Sequence, residues 1–273
     1  MLKRSIYLSG MLLVLFIFSA CEKVIEFDLA GSKDAIVIEA VINNDQLPIT
    51  VRVSKTTPYF GTKKSNPVSN AKVSVRSEKG KAKYLTETSP GIYELKKTVA
   101  LPGLWYIIDV EYDGITYTAR SFLNEPVHIE EVGFSYFDGF GVFDSGYKIN
   151  TYISDPGNIE NYYRLKYYIN GKPYNDAGVI TLYSDQLFNG KEIGLGHRAI
   201  IFKETDTVII ELQSIDKAAF DYFSTLENIS GNDILQSASP ANPISNFSNG
   251  ALGYFSAYSF DRKTMIVKDY VRK

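Results

Sequence analysis

Few residues of this chain are equipped for bond-making chemistry. Among 273 residues there are two His, one Cys and three Met. The histidines, His128 and His197, lie far apart in sequence, and a Ser-His-Asp arrangement is recognised by geometry that sequence alone does not supply. No Gly-x-Ser-x-Gly elbow is present. His197, in "GLGHRAI", reads as a turn residue before a strand, and His128 opens a strand after Pro126. Zinc needs clustered His, Cys or carboxylates, and the sequence has no such cluster. "GFGVF" (Gly139 to Phe143) lacks the Lys and the strand-to-helix context of a phosphate loop. "DPGNIEN" offers oxygen atoms from Asp155, Asn158, Glu160 and Asn161, but not the twelve-residue calcium pattern, and it also reads as a Pro-Gly turn. With 31 Asp and Glu, a pair of carboxylates converging on a sugar remains open. No cofactor or metal is expected, and the leading expectation is a protein without catalysis.

Binding has better material. "GFSYFDGFGVFDSGY" (Gly133 to Tyr147) concentrates aromatics among glycines, with Tyr136, Phe137, Phe140 and Phe143 as candidate ligand- or partner-binding residues. Aromatic rings give large contact area, and glycines let the backbone adapt. The alternative is a set of strand ends packing into a core around a turn. In "NYYRLKYY" (Asn161 to Tyr168), alternation puts Tyr163, Leu165 and Tyr167 on one face. Tyr162, Arg164, Lys166 and Tyr168 fall on the other, which is left to stack a sugar, meet a protein or face water.

The single thiol is Cys21. Before it come the basic pair Lys3 and Arg4, an apolar run from Ile6 to Phe18, and the small residues Ser19 and Ala20. The apolar run is short of the roughly 20 residues a membrane span needs. The pattern is that of a lipoprotein signal: residues 1–20 are expected to be removed and Cys21 acylated. Phe18 departs from the Leu most often found at its position. An ordinary secretory signal or an anchor helix is the alternative. A lipidated Cys21 leaves no thiol for a disulfide, so packing alone must stabilise the fold, and the lipid provides a membrane contact. Residues 21–31 then form a tether.

These residues must be positioned by a β scaffold. The composition is globular, with 45% hydrophobic and 14% aromatic residues and a formal charge of −2. That charge argues against nucleic acid as the main partner, because phosphate binding needs a surplus of Lys and Arg. Residues 35 to 122 alternate apolar and polar in six runs: Ala35 to Ile42, Ile49 to Thr56, Ala71 to Glu78, Gly91 to Thr98, Leu104 to Tyr112, and Ile115 to Phe122. Turn residues separate them, most strongly Asp113-Gly114. The expectation is a β-sandwich over residues 32–123. Residues 124–273 form a second antiparallel β domain. Its candidate strands are Val127 to Tyr136, Tyr147 to Ile153, Tyr162 to Ile169, Val179 to Tyr183, Ala199 to Lys203 and Thr207 to Gln213, with the last two as a hairpin. Gly253 to Phe260 and Thr264 to Val271 close the chain. One amphipathic helix is expected near 214–229, with apolar residues from Ile215 to Ile229 at helical spacing, Ser214 as N-cap and Gly231 as terminator.

Three sets of residues carry likenesses to known proteins. "SNAKVSVRSEKG", "SPGIYELKK" and "LPGLWYIIDVEYDGITYTA" resemble carboxypeptidase-regulatory-like and immunoglobulin-like modules of secreted bacterial proteins, which usually carry no catalysis. Glu22, Glu26 and Asp28 after Cys21 resemble the surface-export signals of Bacteroidota lipoproteins, or form a plain solvated tether. "VIEFDL", "IVIEAVI", "DPGNIENYYRLK", "YSDQLFNGKEI" and above all "ANPISNFSNGALGYFSAYS" resemble domain-of-unknown-function family 4249, outer-membrane lipoproteins of Bacteroidota. The resemblance implies an accessory outer-membrane lipoprotein in uptake, working with a TonB-dependent receptor; the side of the membrane, periplasmic or cell-surface, and a glycan or peptide ligand are left open by the residues. The resemblance supplies no catalytic residues. A surface glycan hydrolase and a structural or adhesive lipoprotein are the other readings.

Overall fold

Period-two alternation builds the first strands. In β1 (Ile36–Asn43), Ile36, Ile38, Ala40 and Ile42 are buried and the residues between them half-buried, as in a strand with one face on a core. The computed structural model describes residues 34–45, 48–57, 66–96, 99–141, 144–174, 179–230 and 242–271. The expected signal, Cys21, the tether, Phe143 and Gly231 lie outside the described residues. After β1 come β2 (Ile49–Lys55), β3 (Asn66–Pro67), β4 (Lys72–Ser77), β5 (Lys83–Tyr84), β6 (Thr86–Ser89), β7 (Ile92–Leu95), β8 (Leu104–Tyr112) and β9 (Ile115–Leu123). All six alternating runs are strands. The β8–β9 hairpin turns on Asp113 and Gly114, both at positive φ (51° and 74°), as the tight primed turn requires.

The second half contributes β10 (Glu131–Phe137), β11 (Gly146–Ser154), β12 (Tyr162–Ile169), β13 (Lys172–Pro173), β14 (Thr181–Ser184), β15 (Glu192–Leu195), β16 (Thr207–Ile215), α1 (Lys217–Ser230) and β17 (Leu252–Ile266). The chain is mainly β, with one helix of this length among the described residues. No described helix is long and apolar enough to cross a membrane.

Three sheets result. The largest runs β13-β12-β16-β17-β1-β2-β7-β6, with β14 beside β12 and β3 beside β2. A four-stranded sheet, β5-β4-β8-β9, covers its β1–β7 end, and a three-stranded sheet, β10-β11-β15, covers its β12–β16 end. One core draws on the first half up to Leu123, together with residues of β17 and the segment before it. The other begins at Val127. Helix α1 packs on the opposite face of the large sheet through Ala219 and Phe223, against Tyr162, Ile215 and Tyr254.

The chain's end is corrected in two respects. The two expected closing strands are one, because Asp261 and Arg262 do not turn: Asp261 accepts the Ile129 N–H (2.8 Å) and Arg262 pairs with Glu211. That strand also serves both halves. Leu252 to Tyr258 run parallel to β1, whereas Ser259 to Ile266 run antiparallel to β16. Phe247, Ala251, Phe255 and Ala257 therefore complete the first core, although their segment was expected to belong wholly to the second module.

Two local expectations also change. Asp216, not Ser214, caps α1, accepting the Ala219 N–H at 2.9 Å, while Ser214 is buried within β16. Residues 199–203 do not pair with β16. The Asp206 carboxylate takes the Lys203 N–H (2.8 Å) and ties the turn, and Phe202 forms an isolated bridge to Tyr147 instead.

Candidate functional site

The aromatic run folds as the β10–β11 hairpin, with Tyr136 opposite Tyr147 and Phe137 opposite Gly146. Alternation then divides the rings. Phe134 turns inward, edge-on to Phe202 at 6.1 Å. Tyr136, 59% exposed, packs edge-on against Tyr147 at 5.2 Å. Phe137 lies on the other face, with the Lys148 Nζ 3.6 Å from its ring centre. Phe140, past the strand end, is 83% exposed.

Phe137 and Phe140 meet in an open cavity of about 490 Å³, completed by Lys148, Arg198, Ala199 and Ile201. Of the candidate residues, these two are brought together, and Tyr136 is not in the lining. The walls come from segments fifty residues apart. A Cβ on Gly146 would stand 2.5 Å from Ile201 Cγ2 and 2.8 Å from the Phe202 carbonyl, so the missing side chain lets residues 201–202 lie against β11. The Tyr147–Phe202 bridge then holds Ile201 and Arg198 beside the phenylalanines. Sequence reasoning missed Lys148, Arg198 and Ile201. Lys148 carried a local signal, since it alternates with the inward Tyr147, but Arg198 carried none.

His197 supports this wall. Its Nδ1 accepts the Ala199 N–H at 3.2 Å, which fixes the turn presenting Arg198. Burial holds its imidazole below the ordinary value, which favours the neutral ring that can accept this bond. The result is an apolar floor with two cations at its rim, suited to a partner with an apolar body and a negative group. On the same outer face Tyr152, 41% exposed, lies between two glycines: Cβ atoms on Gly133 and Gly194 would stand 3.5 and 3.0 Å from its ring.

The other candidates are spent on structure. Asp155 accepts the Tyr163 hydroxyl (2.5 Å) and the Gly190 N–H (2.9 Å), and Asn161 donates to the Pro156 and Ile159 carbonyls. Burial, then this acceptor, pushes the Tyr163 phenol well up, so it stays a donor. No three His, Cys, Asp or Glu side chains among the described residues converge as a metal site would need. His128 is exposed, 3.6 Å from Asp261. The face with Tyr162 and Arg164 is not open: α1 covers it, Phe220 lies 4.9 Å from Tyr162, and the Arg164 guanidinium stacks 3.9 Å from the Phe223 ring. Lys166 and Tyr168 lie farther along the same face and are half-buried.

The stretch from Asn246 to Ser259 is built into the scaffold rather than into the groove. Asn246 brackets Phe255, Ser248 and Asn249 hold β9, and Gly253 meets Ile38. A family model described as "Domain of unknown function (DUF4249)" matches residues 22–264. The chain belongs to the DUF4249 family. No curated protein matches this DUF4249 chain. Among solved structures, a segment of two fibronectin type III domains from chicken tenascin aligns with 13% identity and a TM-score of 0.21. The alignment covers 67% of this chain and 91% of that one. At that score the likeness carries no argument, and the fold rests on the strand pairings themselves.

Proposed function

We propose that this DUF4249 chain is a non-enzymatic accessory protein of the Bacteroidota cell envelope. It is anchored in the outer membrane by lipid on Cys21 and docks on a TonB-dependent receptor through the Phe137–Phe140 groove. The observation that carries the reading is that groove: exposed phenylalanine surface with Lys148 and Arg198 at its rim. Phe140 at 83% exposure is an apolar ring left in water, which marks contact sites more often than scattered surface residues do. The groove is open rather than enclosing, which suits a macromolecular partner better than a small ligand held on most of its surface. The signal pattern before Cys21 supports the anchor.

Two experiments test it. Cys21→Ser followed by membrane fractionation should release the chain, and an unchanged membrane fraction would refute the anchor. Purification of the natively anchored protein from outer membranes should bring down a receptor in stoichiometric amount, and Phe140→Ala with Arg198→Ala should lose it. A clean monomer from wild type would count against docking. A second reading, a glycan ligand, is favoured by Tyr152, whose partly exposed ring is flanked by the side-chain-free Gly133 and Gly194 and so is accessible for stacking.

A further inference from the structure

Strand β10 ends its sheet, and its outer side has no main-chain partner among the described residues. Which groups face outward follows from β11. The Tyr147 N–H and C=O bond Phe202, on the side away from β10. Main-chain groups alternate along a strand, so Lys148, Asn150 and Tyr152 direct theirs toward β10. Their register partners are Ser135, Gly133 and Glu131. Val132, Phe134 and Tyr136 are therefore left with N–H and C=O groups on the free edge.

The other long edge strand is treated differently. At β9, Ser248 exchanges bonds with both main-chain groups of Thr118 (2.9 Å each), Asn249 donates to the Thr116 carbonyl (2.7 Å), and Asp216 accepts the Phe122 N–H (3.0 Å). That edge is covered, as edges usually are. β10, "EVGFSYF", has no Pro, no Lys and one charge, Glu131; Tyr270 packs edge-on to its Phe134 ring at 6.4 Å, but no described residue hydrogen-bonds its outer main-chain groups.

Space and charge are arranged along this edge. At its start, a cavity of about 580 Å³ opens between Glu131–Phe134 and Asp269–Val271, with the Tyr152 ring beside it. At its end lies the Phe137–Phe140 groove with Lys148 and Arg198. Glu131 and Asp269 supply carboxylates at one end, where Lys263 is tied to the Glu130 carbonyl (2.7 Å), and Lys148 and Arg198 supply cations at the other, where the exposed Asp138 follows Phe137. Six residue steps separate Glu131 from Phe137, roughly 20 Å of strand.

We propose that β10 binds an extended peptide segment of the partner by strand addition. The segment places an acidic side chain at Lys148 and Arg198, and a basic one about six residues away at Glu131 and Asp269. The proposal rests on the reading that this face is the docking surface, and adds the conformation and charge order of what docks.

The test uses the full chain in detergent to select from a display library of random decapeptides. The expected winners carry opposite charges five to seven residues apart around an alternating apolar stretch. A synthetic copy should slow amide exchange at Val132, Phe134 and Tyr136 by about tenfold or more. The same peptide N-methylated at the amides facing β10 should not. No enrichment, or binding that leaves those three amides unchanged, overturns strand addition. If Phe140→Ala with Arg198→Ala still abolishes receptor capture in that case, the docking surface stands without it. If capture also survives those substitutions, both readings fall.

Discussion

The Asn246 side chain makes both main-chain hydrogen bonds of Phe255: its Oδ1 accepts the Phe255 N–H at 2.9 Å and its Nδ2 donates to the Phe255 carbonyl at 2.8 Å. One carboxamide thus stands in for a neighbouring strand. The substitution is needed because β16 reaches β17 only as far as Ser259, while β1 occupies the other side. Ser121 does the same for the Ala257 N–H at 2.8 Å. Asn246→Ala should leave two main-chain groups of a fully buried residue unpaired and cost about 2–3 kcal/mol. Asn246→Asp keeps the acceptor but sets a carboxylate against a carbonyl, and should also destabilise. Urea unfolding measures both, and a loss below about 0.5 kcal/mol for Ala would refute the assignment.

Gly253 is required by both space and backbone. It sits at φ 94°, and a Cβ there would stand 2.1 Å from the Ile38 carbonyl oxygen. Gly253→Ala should cost more than about 4 kcal/mol or prevent folding. Gly114, at φ 74° with nothing within 4 Å of a Cβ, has only the backbone cost, about 1 kcal/mol. Comparison of the two alanine variants by thermal unfolding separates packing from conformation.

Glu211 is 3% exposed and pairs with Arg262, while Gln213 donates to its other oxygen at 2.6 Å. The Arg262 side chain is closer to solvent. Removing it strands the buried carboxylate, so Arg262→Ala should cost about 3 kcal/mol. Adding Glu211→Gln should recover much of that loss. A double-mutant cycle in urea gives the coupling, and equal stabilities of the single and double variants would contradict it.

His197 predicts a pH dependence with a definite sign. Burial holds its folded value below the ordinary 6.5, so the unfolded chain binds that proton more readily. Its contribution is constant above about pH 6.5 and is lost progressively as pH falls below it. The Tm of wild type relative to His197→Gln should therefore drop between pH 7.5 and 5.5. A difference that stays flat across this interval would show the imidazole to be unperturbed.

The groove should separate stability from binding. Phe140→Ala removes a ring that is 83% exposed and should change folding stability by less than about 0.5 kcal/mol. In the proposed function the same substitution weakens partner capture about tenfold or more, as loss of an exposed aromatic anchor does. Large destabilisation would instead mean that the ring belongs to the fold.

The sequence by itself determined six of the nine strands of the first half, the helix and the aromatic run, because each depends on local periodicity or turn chemistry, while the short β3, β5 and β6 carry too few residues to show a period. Alternation from Ile36 to Leu123 and the Asp113-Gly114 turn are readable in a window of a few residues. Period two says which way a side chain points and nothing about which strand lies beside it. Only the tertiary structure therefore decided that Leu252 to Tyr258 pair with β1, more than two hundred residues earlier, and that one strand serves two cores. The candidate site divides in the same way. Phe137 and Phe140 were visible as aromatics among glycines, open to either a binding surface or a core, and the fold decided that Phe140 is exposed. Lys148 and Arg198 joined them only because Gly146 admits residues 201–202 against β11, a close approach between distant segments that no local pattern encodes. The free edge of β10 is likewise a matter of tertiary pairing: an edge exists only where the fold stops adding strands.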